Sequence, residues 1–181
     1  MNLETLFLKS KHWQLFLMFI ALSIVSQIAF LLIMIINRHP ISGIIAGLAF
    51  LVFIGWFFII IKFLDKKINN PNLKIYNKHL VYFLIFTVIY ITLVFWVFPQ
   101  GFTISTEGSD VDGFWQLLII PAHLFSMFSI FYLMYKAART IKTVELQRKV
   151  TFGDFAGEFF LLWFFPIGIW IIQPKINKFA E

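Results

Sequence analysis

The sequence predicts an all-α fold: a polytopic transmembrane helix bundle with four clear spans and a short, Pro-kinked fifth apolar segment. Three observations carry this reading. Hydrophobic residues make up 60% of the chain and charged residues only 13%, whereas a soluble domain carries about 25% charged residues. Four stretches come close to or exceed the roughly 20 apolar residues that a helix needs to cross the hydrocarbon core. The Lys and Arg residues fall almost entirely in alternate connections. At 181 residues the chain reads as a single integral membrane domain, residues 1–181. A soluble fold of this size could not hide so much apolar surface, so lipid is part of its solvent.

Span one covers residues 13–36. Its apolar run is longer than the roughly 7–15 residues of a signal-peptide core, and no small-x-small cleavage site follows it. It therefore reads as an uncleaved first span. Asn37, Arg38, His39 and Pro40 form so short a connection that span two, residues 41–61, must return antiparallel. The next connection holds Asn69, Asn70, Pro71 and Asn72, which is turn chemistry. Span three covers residues 80–98 and span four residues 114–135. Beyond it, Ala138, Ile141 and Val144 form an apolar line at helical spacing, and Glu145 stands four residues before Lys149, a favourable helical pair. The helix is expected to continue into this stretch and then lie near the headgroups.

Basic residues set the orientation. Lys9, Lys11, Lys62, Lys66, Lys67, Lys74, Lys78, Lys136, Arg139, Lys142, Arg148 and Lys149 lie in alternate connections, and Arg38 stands alone on the other side. The positive-inside rule then puts the N-terminus in the cytoplasm. Trp13 and Tyr135 fall at the inner interface and Trp96 and Trp115 at the outer one, as aromatic belts require. The net charge of +6 is read as contact with anionic headgroups rather than with nucleic acid. The absence of Cys excludes disulfides, thiolate nucleophiles and Cys-ligated metals. Residues 11–25 and 78–92 align without gaps, but the same offset relates almost nothing in spans two and four, so a duplication gains little support.

The fifth apolar segment, residues 155–172, admits two readings. As one helix it would be about 27 Å long at 1.5 Å per residue, barely enough to cross. Pro166 would kink it and Pro174 would end it. Crossing satisfies the backbone more simply than a re-entrant turn, which needs protein or water around its apex. A short kinked fifth span is therefore expected. The alternative is a re-entrant or interfacial segment, which would spare Lys175 and Lys178 a place outside and keep Glu158 out of the membrane.

Few residues could carry chemistry. Gln116, His123 and Ser126 share a face of span four and are expected to look into the bundle, with Ser23, Ser26, Gln27, Thr87, Tyr90 and Thr92 as possible partners. Pro121 frees the Leu117 carbonyl beside them. A mid-membrane His is a candidate for ligand binding or proton handling. A neutral His bonded to a neighbouring hydroxyl is the plainer reading. Asp154 and Glu158 form a carboxylate pair ahead of the last apolar stretch, suited to capping a helix N-terminus or to holding a cation. Gly43 and Gly47 form a small-xxx-small pattern for close helix packing, within the chain or between copies. Glu107, Asp110 and Asp112 resemble part of a calcium loop but lack its regular oxygen spacing. No phosphate loop, dinucleotide fingerprint, zinc-protease or serine-hydrolase motif occurs, so no catalytic residue, metal or cofactor is assigned.

Residues 157–177, GEFFLLWFFPIGIWIIQPKIN, resemble the end of a group of small bacterial membrane proteins of unknown function. The resemblance implies a bacterial cytoplasmic (inner) membrane and carries over no activity or site residue. The expected function is that of a non-enzymatic membrane component associating with itself, with lipid or with a membrane protein partner. The alternatives are a small transporter or channel subunit that forms its path as a homo-oligomer, and a lipid-modifying enzyme.

Overall fold

The computed structural model describes residues 7–35, 40–98 and 113–180. The turn at Asn37, Arg38 and His39, the acidic loop bearing Glu107, Asp110 and Asp112, and the side chain of Gln116 lie outside the described residues. Among the described residues, after a helical stretch at 7–9, the long helices follow in order: α1 His12–Ile35, α2 Pro40–Asp65, α3 His79–Val97, α4 Gly113–Leu146, α5 Phe152–Trp163 and α6 Phe165–Ala180. Helices α1 to α4 contain the four segments long and apolar enough to cross a membrane. Away from the charged residues near the ends of α2 and α4, they are apolar on all sides, which a helix tolerates only when protein and lipid share its surface.

Helix α2 is the hub. It packs against α1, α3 and α4, and α4 in turn packs against α3 and α5. Helix α6 packs on α5 and on α1, which closes a ring. The core is concentrated toward one end of this arrangement. Trp56, Phe57, Ile60, Ile61 and Leu64 of α2 meet Leu133, Ala137, Ala138 and Ile141 of α4, with Phe155, Ile169 and Ile172 completing the layer. That end also carries the starts of α1, α3 and α5 and the ends of α2, α4 and α6, so nearly all the basic residues gather there. It is called the basic end below. Toward the other end Ile24, Leu31, Ile44, Leu48, Leu117 and Leu124 are exposed, an apolar belt of the kind that lipid covers.

The fifth apolar segment folds as a hairpin of two helices, and the expectation of a single kinked helix is corrected. Helix α5 stops at Trp163, Phe164 breaks the helical backbone, and α6 turns back toward the basic end. Pro166 sits in the first turn of α6, where its missing N–H has no helical acceptor to lose. Pro174 lies inside α6 and does not end it. The reversal needs Gly168: a Cβ there would overlap the Leu161 carbonyl of α5. Lys175 then reaches Glu158 at 2.8 Å and Glu145 at 2.7 Å, and Gln173 Nε2 donates to the carbonyl oxygens of Phe7 and Ser10 at 2.8 and 3.1 Å. The far end of the returning helix is thereby tied into the protein, with Ile169, Ile172 and Ile176 buried, while Phe164 and Ile167 at the turn are exposed.

Helix α4 continues through Ala138, Ile141 and Val144, as the sequence implies, and all three are buried in the core. One further expectation changes. Glu145 pairs with Lys142 at 2.9 Å and with Lys175, not with Lys149. Helix α4 ends at a left-handed residue, Gln147, with φ 48°. That conformation is unusual for a side chain. Gln147 is held in it by hydrogen bonds from its amide to the Lys67 carbonyl and from the Asn69 N–H.

Candidate groove and the polar residues around it

Helix α1 touches α2 and α6 but leaves α3 at a distance, and the space between α1 and the α2–α3 pair is a groove. It has two adjoining lobes of about 400 and 410 Å³. Ser26, Ala46 and Phe95 line both lobes. The outer lobe adds Gln27, Phe30 and Leu31, and the inner one adds Phe19, Phe53 and Phe165. Both lobes are half open, and exposed Leu31 and Phe95 flank them, so the groove faces the lipid side.

Local sequence explains its shape. Ala46 and Ala49 keep the α2 wall thin. On the adjoining face of that helix, Gly43 and Gly47 sit directly against Thr92 and Trp96 of α3, where a Cβ would overlap. The small-residue pattern thus draws α3 onto α2 within the chain. The floor is the tip of the α5–α6 hairpin. Phe165, the first residue of α6, lies edge-on to Phe19 at 4.8 Å, Phe53 at 5.2 Å and Trp56 at 5.7 Å between ring centroids. These edge-to-face contacts are favourable beyond simple burial.

The groove is almost without free polarity. Ser23 donates to the Phe19 carbonyl at 2.9 Å and Ser26 to the Ser23 carbonyl at 2.8 Å, both within α1. Gln27 is the remaining polar group in the wall, and among the described residues its amide has no hydrogen-bond partner. The span-four stripe does not reach this space. Tyr90 Oη and His123 Nδ1 lie 3.1 Å apart, which satisfies the imidazole from α3. His123 is exposed, whereas Ser126 is buried. The expectation that the whole stripe looks into the bundle is corrected for His123, which lies about 60° round the helix from Ser126 at the exposed edge of the α3–α4 contact.

The carboxylate pair is separated by function. Asp154 accepts from the Thr151 N–H at 2.7 Å and hydroxyl at 2.9 Å, closing the N-terminus of α5. Arg148 Nη2 stands 2.8 Å from its other oxygen. The Arg148 guanidinium, then the Thr151 donors, hold the Asp154 carboxyl well below the usual carboxylate range. Glu158, 8% exposed, joins a four-charge cluster with Lys142, Glu145 and Lys175. Lys142 and Lys175 share Glu158 Oε1 and Glu145 Oε2, so two ammonium groups already meet these two carboxylates. This cluster and the buried Asp65, which accepts from the N–H groups of Ile75 and Tyr76, were not singled out in the sequence. Apart from Lys142 and Glu145, three residues apart on α4, the partners lie on other helices or ten and more residues away, beyond the reach of spacing rules. No family model, curated protein or solved structure matches the chain.

Proposed function

We propose that this chain is a non-enzymatic component of a bacterial cytoplasmic membrane that holds an apolar chain, the acyl tail of a membrane lipid, in the groove between α1 and the α2–α3 pair. The observation that carries the reading is the groove itself. Each lobe is within the roughly 300–1,000 Å³ of small-molecule sites, it opens toward lipid, and its hydroxyls are spent on their own helix. An occupant gains dispersion contacts with aromatic walls and has to satisfy almost no polar group. The basic end is assigned to the cytoplasm on the distribution of Lys and Arg, and the bacterial setting rests on the resemblance of residues 157–177.

A path formed by oligomerising, with the span-four stripe along it, draws less support. Ser126 is buried within one chain and His123 is hydrogen-bonded to Tyr90 at an exposed edge of the α3–α4 contact, so neither is left free to line a path. The test is lipid retention. Protein purified in mild detergent is weighed intact by native mass spectrometry. Wild type is expected to retain lipid, and Ala46→Phe, which fills both lobes, to lose it. Equal retention by the two proteins refutes the groove. Orientation is read separately with a single cysteine at Asn70, which an impermeant thiol reagent should not label in intact cells.

A further inference from the structure

Charge pairing at the basic end is selective. Lys142, Lys175 and Arg148 each meet a carboxylate. Between the first of these and the membrane-facing half of α4 stand Lys136 and Arg139, three residues apart and so on neighbouring positions of one helix face. Neither has a carboxylate partner among the described residues. Lys136 Nζ rests over the Tyr132 ring at 5.1 Å. Arg139 is half-buried, and its Nε is enclosed with no acceptor.

A half-buried guanidinium whose enclosed Nε has no acceptor is an unusual thing to keep. A lysine in that place could shed its proton, but a guanidinium stays charged at any physiological pH. Burial of an unpaired charge is unfavourable unless an anion meets it. Among the described residues no carboxylate meets it. Glu145, Glu158 and Asp154 are engaged by Lys142, Lys175 and Arg148. The hydroxyls of Thr140 and Thr143 donate to the carbonyls of Lys136 and Arg139. The position also matters. Arg139 follows Tyr135 by one turn, at the level where the sequence places the inner interface.

We propose that Arg139, assisted by Lys136, binds a phosphate group at the basic end, at headgroup level and apart from the acyl groove. The fork of N–H donors suits two oxygens of a phosphate, and Lys136 adds a second charge without geometric demand. A phosphodiester of an anionic lipid and a free phosphate ion share this chemistry, and the experiment separates them.

Thermal unfolding of the full chain in mild detergent is followed with added phosphatidylglycerol, with inorganic phosphate, and with chloride at matched ionic strength. A ligand of the folded state raises the midpoint by mass action. Phosphatidylglycerol is expected to raise the midpoint of wild type and of Lys149→Gln, a control with the same charge change at an exposed lysine. Arg139→Gln should bind roughly tenfold more weakly and keep under half of that shift. An effect of phosphatidylglycerol alone assigns the site to a lipid headgroup, and a full effect of inorganic phosphate assigns it to the free ion. Without any phosphate present, Arg139→Gln should unfold no lower than wild type, because it removes an uncompensated charge. Equal shifts in Arg139→Gln and wild type overturn the proposal. So does a wild type that neither phosphate-bearing probe stabilises beyond chloride. If Arg139→Gln yields no folded protein, Arg139→Lys takes its place, with a reduced shift expected and an undiminished one overturning the site.

Discussion

Lys175 Nζ stands 2.8 Å from Glu158 Oε1, across a reversal of seventeen residues. That one pair joins the two arms of the α5–α6 hairpin, and Lys142 and Glu145 tie it to α4. The side chains are 24% and 11% exposed, so the pair is screened less than a surface bridge and more than a fully buried one.

Removing one partner leaves the other in partial burial. Glu158→Gln is expected to destabilise the protein by about 1–3 kcal/mol, below the range for fully buried pairs because solvent reaches this one. Lys175→Met should act similarly. The double variant should lose less than the two single losses added together, since no charge is then stranded. Unfolding midpoints in detergent measure all three. Strict additivity would mean that the two side chains do not act on each other.

Gly168 sets the hairpin's closest approach. Gly168→Val places carbon atoms into the Leu161 backbone, and backbone cannot rotate aside as a side chain can. A loss of about 3 kcal/mol or no folded protein is expected. Gly157→Ala is the contrast, because a Cβ there meets nothing within 4 Å. It should be neutral or stabilising by up to about 1 kcal/mol through helix propensity. If Gly168→Val folds as well as wild type, α5 and α6 are not packed as a hairpin.

These elements mark where the sequence stops being legible. Helices α1 to α4 are readable from length and apolar content alone, since any long apolar stretch must satisfy its backbone internally in lipid. The hairpin is not. Pro166 removes a hydrogen bond equally well from a kink or from the first turn of a new helix, and only the contact of Gly168 with Leu161 distinguishes them. Tyr90 stood among several candidate partners of His123, and helical spacing could not choose between α1 and α3. The groove depends on α1 standing away from α3, a tertiary fact with no local signature.

Asp154 offers a pH test. Its folded-state carboxyl is held below the ordinary value, so it contributes stability at neutral pH. That contribution is complete above the unfolded value of about 4 and fades as pH falls below it toward the folded one. Asp154→Asn keeps an acceptor for the Thr151 N–H but loses the charge facing Arg148. The midpoint difference between wild type and this variant should be constant from about pH 7 to 5 and shrink below about pH 4. A difference that does not change with pH would remove the Arg148 contact from the account.

The groove is tested most directly by a phospholipid carrying a photoreactive group midway along its acyl tail. After illumination in vesicles, the crosslinked positions are mapped by peptide mass spectrometry. The account predicts labels concentrated on Ser23–Leu31 of α1, Ile45–Phe50 of α2 and Phe165, and a strong loss of these in Ala46→Phe. Labels spread evenly over the exposed faces, as dense at Leu117 and Leu124 as at Ser26 and Ala46 and unchanged by Ala46→Phe, would contradict it.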